Sequence, residues 1–352
     1  MSVGSLDLPY PELLPASRGE IHQAIADNAP AVRQAYGVPP ELTPDRTDPA
    51  EVDFQEHDRY FQIRRTRRAP GPTFLTALAC AGRSVSENAG QHHLSELGKS
   101  DFPQLWTGTK RLFEYAGTDA TALGMEPATP TADNDTDEAV PAGASMPADR
   151  WLVGHQLFFV LIQGTITGLN CFLRASAAGD SDDARAALSV AAGFMHSSAA
   201  AFRFTCDFAP VDYTQLIRPA MAPPAVRAGF SGLQTRDHAH LTAMFAEVRV
   251  MRAKLGPARL GSAFEEFVEA TVAAYEAHQL ICARFGGDVL PSLRMAARSA
   301  GRAAAPGTQV VRQLMRARLF ALDGGSRDDD ARSAGPDDGA RSTAPDAGGA
   351  RW

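Results

Sequence analysis

Two residues of this chain are spaced so that they could do chemistry together. Phe264, Phe267, Thr271, Tyr275, His278, Cys282 and Phe285 recur every three or four positions, so a helix over Ser262 to Phe285 carries them as one stripe. His278 and Cys282 therefore share a face in an H-x-x-x-C arrangement. Such a pair supplies only part of a metal's ligand set, or it places a thiol beside a flat apolar cofactor whose vinyl group the thiol can attack. The same spacing also arises where a cysteine packs as a small hydrophobe and a histidine is satisfied by a backbone partner.

A second apolar stripe runs through His238, Leu241, Phe245 and Val248, whereas His240 points about 160° away at ~100° per residue. A neutral imidazole on an apolar wall is a usual donor to haem iron, and it is also a common core residue. His155 lies on a third face, with Phe159, Ile162, Ile166 and Leu169, where it suits acid/base work on a bound oxidant. Gly164 and Gly168 on that helix admit another helix or a planar cofactor at close range. Arg218, held among prolines, suits bidentate capture of an amino-acid carboxylate, or a surface ion pair. Ser231 precedes the His238 helix, and with His155 and Arg218 it completes the candidate catalytic set. The His92-His93 pair reads as exposed.

The elements that must position these residues read as helices. Ser17 to Glu20 has capping-box spacing at the head of a helix toward Tyr36. Further helices are expected within Glu51 to Arg67, Pro72 to Leu97 and Phe102 to Tyr115, then over Trp151 to Ala177 and, with Ser181 as cap, Asp182 to Phe208. Pro210, Pro219, Pro223 and Pro224 predict a non-helical connection. The last clear helices are Arg236 to Leu255 and Ser262 to Gly286. The fold class is all-α, a bundle of long helices enclosing a ligand. Residues 1–116 read as an N-terminal helical part, 117–149 as a flexible linker, 150–322 as a helical core and 323–352 as a disordered tail.

The chain has 352 residues, with 34 Lys plus Arg against 41 Asp plus Glu, a net charge of −7. Only Lys99, Lys110 and Lys254 are lysines. That balance excludes a polybasic surface, so neither nucleic acid nor an anionic membrane is an expected partner. Cys80, Cys171, Cys206 and Cys282 are scattered without a C-x-x-C pair, which argues against a zinc knuckle and a disulfide framework and makes a reducing cytoplasm the expected location. The apolar run Trp151 to Leu173 could span a bilayer, but His155, Gln156, Gln163, Thr165, Thr167 and Asn170 mark it as a core helix.

RWLVGHQLFFVLIQG (Arg150 to Gly164), YTQLIRPAMAPP (Tyr213 to Pro224), FSGLQTRDHAHL (Phe230 to Leu241) and AYEAHQLICARF (Ala274 to Phe285) together resemble the haem-dependent tyrosine hydroxylases of natural-product pathways. Within that group the likeness is to the peroxide-using branch that acts on 3-methyl-L-tyrosine in tetrahydroisoquinoline antibiotic assembly. The wider family is the histidine-ligated haem aromatic oxygenases. The likeness spans about residues 150 to 290, in the same order. It implies a haem with His238 as axial ligand, His240 as the alternative, a single thioether from Cys282 to a haem vinyl, and His278 beside the macrocycle. It implies hydrogen peroxide as co-substrate and hydroxylation of a tyrosine-type amino acid, L-tyrosine or its 3-methyl derivative, to the ortho-catechol. It also allows a homodimer. Two rivals stay open: a haem dioxygenase of the tryptophan 2,3-dioxygenase type, and a non-catalytic haem-binding protein.

Overall fold

The computed structural model describes residues 4–34, 52–91, 94, 99, 101–118, 146–231, 234–286, 290–298 and 305–323. His92, His93 and the stretches 119–145 and 324–352 lie outside them.

The chain opens with a short strand β1 (Leu6–Pro9) and helix α1 (Arg18–Gln34). Ser17 Oγ accepts from the Glu20 amide and Glu20 reaches back to the Ala16 amide, so the expected cap forms, one residue earlier on its return arm. Helix α2 (Val52–Tyr60) is followed by strand β2 (Ile63–Thr66), which pairs in parallel with β1, Leu6 opposite Ile63. The helix expected within Glu51 to Arg67 is thus α2, and the rest of that stretch is strand: Gln62 takes a positive φ between the two, and Ile63 and Thr66 point into the core. Helices α3 (Pro70–Gln91) and α4 (Thr107–Ala116) follow, with a 3-10 turn at Phe102–Trp106.

The centre of the bundle is the hairpin of α5 (Met146–Ala177) and α6 (Ser181–Thr205). Helix α5 begins inside the last residues of the stretch expected to be linker. The 18-residue apolar window within it is 83% buried, which fits a core helix. The hairpin turns sharply because the Asp180 amide bonds the Ala175 carbonyl and the Gly179 amide that of Ser176, with Gly179 at φ 77°. Asp180, and not Ser181, caps α6 by accepting from the Asp183 amide. A Cβ at Gly164 would sit 2.5 Å from the Phe194 ring and one at Gly168 2.7 Å from the Ala191 nitrogen. These glycines thus serve helix-to-helix approach and not a planar cofactor.

After α6 the chain does not stay irregular as its prolines suggested. It makes three short helical pieces, Pro210–Asp212, a π-turn Tyr213–Ile217 and Arg218–Ala220, before cis-Pro224. Helices α7 (Arg236–Leu255) and α8 (Ala263–Gly286) end within a residue or two of their expected limits. Besides the strands and the short helix Pro257–Leu260, a turn of helix at Leu293–Arg298 and α9 (Gly307–Asp323), which packs on α8 and α7, escaped the sequence reading. One apolar cluster runs from Leu6 to Leu322 through all of these layers.

Candidate functional site

The stripe on α8 faces inward as its spacing demands: Phe264, Phe267, Thr271, Tyr275 and Phe285 are all buried. His278 stacks on Phe202 of α6, ring centroids 4.8 Å apart and 15° from parallel. One turn on, Cys282 opens into a cavity of about 190 Å³. The same cavity is lined by His155 and Trp151 of α5, Cys206, Tyr213, Arg218, Ser231 and Phe285, with Leu290 to Leu293 and α9 closing the far wall. Five of the six sequence candidates therefore meet in one chamber: His155, Arg218, Ser231, His278 and Cys282.

The sixth does not line it. His238 faces an adjoining lobe of about 30 Å³, with Ile162, Met195, Leu241, Phe245 and Tyr275. Phe158, Phe202 and His278 line both spaces and so form the wall between them. His240 lines neither.

Electrostatics follow from burial. His155 is pushed down to about 4, chiefly by desolvation, against the pull of its hydrogen bond and with help from His278. Its Nδ1 lies 2.7 Å from the Trp151 carbonyl, which can only accept, so the proton sits on Nδ1 and Nε2 keeps its lone pair. The His155 ring is sandwiched by Phe61 at 4.5 Å and Trp151 at 4.2 Å. Desolvation likewise takes His278 down to about 4 and raises the Cys282 thiol to about 11, so at neutral pH both are uncharged. Cys206 is raised well above the ordinary thiol value by the same burial.

Arg218 donates from Nη2 to the Pro291 carbonyl at 3.1 Å and engages the Tyr213 phenol. A guanidinium has five N–H donors, so these two engagements leave capacity for a carboxylate. The π-turn before it widens the helical spiral by a residue, a feature common where a side chain must be aimed. Ser231 is held from the other side: its carbonyl accepts from His57 Nε2 at 3.0 Å, and His57 stacks on Phe230 at 4.3 Å.

The residues that aim His238 were not found from sequence. Asp237 is fully buried and accepts two bonds from Arg65, at 3.0 and 2.5 Å, and one from Gln163 at 2.8 Å. Arg65 also grips Asp58 with two bonds, at 2.8 and 3.0 Å. Burial alone would lower the Arg65 pKa, but the two carboxylates override it and hold the guanidinium charged. Thr235 Oγ1 caps the His238 amide at 3.3 Å. The Arg-Asp-His triplet carried one clue, an acidic residue in a first helical turn. Its partner is 172 positions away, out of reach of any local pattern.

The family model described as SfmD 3-methyl-L-tyrosine peroxygenase matches residues 7–263. That span includes His155, Arg218, Ser231 and His238 and stops before His278 and Cys282. A 3-methyl-L-tyrosine peroxygenase of Streptomyces lavendulae is 30% identical over 279 residues, 78% of this chain and 73% of that one. The crystal structure of reduced SfmD, soaked with sodium hydrosulfite, superposes with a TM-score of 0.58 at 25% identity, covering 79% of this chain and 97% of its own.

Proposed function

This chain belongs to the 3-methyl-L-tyrosine peroxygenase family, oxidoreductases that act on a tyrosine analogue, and from that premise we propose that it binds haem between α5, α7 and α8, where the main cavity adjoins the lobe that His238 faces. There it uses hydrogen peroxide to convert 3-methyl-L-tyrosine or L-tyrosine to the ortho-catechol. The reading extends to a cytoplasmic enzyme of antibiotic biosynthesis.

The residues present fit a haem. Among the described residues no three His, Cys, Asp or Glu side chains converge as a cage for a bare ion. A macrocycle brings four nitrogens of its own and asks the protein for only one or two more. Imidazoles answer that need: His278, uncharged at neutral pH, and His238 in the adjoining lobe would hold the haem, His238 as a ligand to its iron and His278 against the macrocycle. Cys282 would carry a single thioether. A chamber that holds its thiol uncharged favours a neutral thioether sulphur over a thiolate bound to iron. Haem, when bound, supplies the iron that activates peroxide for oxygen transfer.

The chain's own residues do the rest. His155 Nε2, bare at neutral pH, takes the proton of the incoming peroxide and returns it to the departing oxygen. Arg218 takes the substrate carboxylate in a charge-assisted pair, and the Ser231 hydroxyl is a further polar contact on the same wall. Trp151, Tyr213 and Phe285 give the substrate ring apolar faces to lie against. The rings of Trp151, Phe158, Phe202, Tyr213 and Phe285 on the lining limit the water that reaches the reacting carbon.

The observation that carries this reading is the union of His155, Arg218, His278 and Cys282 around one cavity in a chain of this family. It is tested by expressing the protein with haem supplied, recording its absorption spectrum and weighing the denatured protein. Wild type should show a Soret band and retain the haem mass, Cys282→Ala should bind haem without a covalent link, and His238→Ala should load poorly. Peroxide, and not dioxygen with ferrous protein, should then turn the methyltyrosine into catechol. A colourless wild-type protein overturns the reading.

A further inference from the structure

Glu56, His57 and Asp58 of α2 all reach one stretch of chain, which carries a wall of the main cavity and then the head of α7. Glu56 accepts the Arg227 amide at 2.8 Å and pairs with its guanidinium at 3.1 Å. His57 is 1% exposed, and its Nε2 lies 3.0 Å from the Ser231 carbonyl. A carbonyl only accepts, so Nε2 carries the proton. The His57 ring stacks on Phe230, centroids 4.3 Å apart and 10° from parallel. Asp58 accepts two bonds from Arg65, which also holds Asp237. Phe230 and Ser231 line the main cavity, whereas His57 does not.

The Ser231 carbonyl is where these constraints meet. Its two lone pairs take two donors, the His57 imidazole and the Gln234 amide at 2.9 Å. Gln234 leads directly to Thr235, whose Oγ1 caps the His238 amide. The stacking also continues inward: Phe230 lies 6.0 Å from Phe61, and Phe61 stacks 4.5 Å from His155. Two rings therefore stand between His57 and the group assigned to move the peroxide proton. A phenylalanine at position 57 would stack on Phe230 equally well, so stacking alone does not account for an imidazole there. Its Nε2–H, aimed at the cavity wall, does.

We propose that His57 is a positioning residue of the substrate site: it holds the Ser231 carbonyl and the Phe230 ring, and these set where the amino acid lies relative to His155. The proposal rests on the peroxygenase reading of the cavity and deepens it. Without the imidazole donor the Ser231 carbonyl keeps its Gln234 partner, so no buried acceptor is left bare and the fold survives. The wall is nevertheless free to turn against α2. The amino acid then binds less tightly and its ring carbon is held less often in the reacting position, so peroxide is consumed without product.

The test compares haem-loaded wild type with His57→Phe, His57→Gln and His57→Asn, given hydrogen peroxide and 3-methyl-L-tyrosine or L-tyrosine. Phenylalanine keeps the stack and removes the donor. The two amides are alike in polarity, but glutamine carries an N–H to the place of Nε2 and asparagine is one carbon too short. The readouts are the Soret band, the thermal midpoint, KM and kcat for the amino acid, and catechol formed per peroxide. His57→Phe and His57→Asn should load haem as wild type does and raise KM roughly three- to tenfold, the effect of one lost hydrogen bond. Their kcat should change less, and their yield of catechol per peroxide should fall. His57→Gln should bring KM back to within about twofold of wild type and restore the yield. Unchanged KM and yield in both His57→Phe and His57→Asn, in an active wild-type background, overturn the proposal alone. So does a thermal midpoint lowered alike in all three variants with no kinetic difference between glutamine and asparagine, because that is the signature of packing. A wild-type protein with no Soret band or no catechol overturns the peroxygenase reading and this inference with it.

Discussion

Replacing Arg65 by Met should cost far more than the loss of an ordinary ion pair. The Arg65 side chain is 6% exposed and stands between Asp237 at 0% and Asp58 at 10%, with four bonds of 2.5 to 3.0 Å. Methionine fills most of the volume but leaves two buried carboxylates facing each other, with Gln163 as the remaining donor to Asp237. At an effective dielectric of 20 each lost pair was worth about 4 kcal/mol at 4 Å, and breaking one side of a buried pair costs ~3–5 kcal/mol in all. Against a total stability of ~5–15 kcal/mol that is a large share. Urea unfolding of the haem-free protein, followed by circular dichroism, reads the number directly. Because Asp237 lies in the first turn of α7, one residue before His238, haem loading should fall in the same variant at urea concentrations where it is still folded. The double variant Arg65→Met/Asp237→Asn should recover part of the loss, since it removes one of the stranded charges. A cost of under ~1 kcal/mol, the range of surface pairs, with normal haem loading would refute the view that this network is sealed from water and sets the position of His238.

Acidification should weaken the haem-free protein through His155 and His278. Their folded pKa values of about 4 lie below the unfolded ~6.5, so the folded state binds fewer protons; stability is full above about pH 6.5 and falls toward pH 4, by about 3 kcal/mol per histidine at most, and His155→Gln should flatten that slope in urea titrations. Gly164→Ala drives a Cβ to within 2.5 Å of the buried Phe194 ring and should lower stability by ~1–3 kcal/mol, seen as a lower thermal midpoint. Arg218→Leu should raise the substrate KM about tenfold or more while changing kcat less, because it removes a charge-assisted hydrogen bond worth ~1.5–3 kcal/mol in binding.

The parts of this molecule that could be read in advance are those whose information is local. The stripes on α7 and α8 repeat with the helical period, so their ends and inward faces follow from a window of a few turns. β1 and β2 could not be read this way. Each is four residues long, and their pairing joins distant positions, Leu6 with Ile63. Residue type is no guide either, for the strand residues Arg64 and Arg65 look like solvated helix until Asp7, Asp58 and Asp237 are brought up against them. The cavity was half legible. His155, His278 and Cys282 stood out by residue type, whereas nothing in the residue pattern singled out Trp151 or Tyr213 as cavity lining. The separation of His238 into its own lobe depends on Phe158 and Phe202, which come from different helices.

The spacing between the two histidine helices shows how local and distant constraints combine. Three consecutive residues at the head of α7 address three different neighbours. Arg236 lies over the Tyr10 and Phe54 rings at 5.0 and 5.1 Å, Asp237 enters the Arg65 network, and His238 faces the lobe. At ~100° per residue a shift of one position would misdirect all three, so the register of α7 is pinned at its start. The register of α8 is pinned independently by its buried stripe from Phe264 to Phe285. A change in the number of residues from His238 to His278 must therefore be taken up between the helices. That is where Gly256 and Gly261, at φ 92° and 55°, bracket the short helix Pro257–Leu260. Glycine alone holds such backbone cheaply, so this joint can change length while the imidazole of His238 and the thiol of Cys282 keep their places.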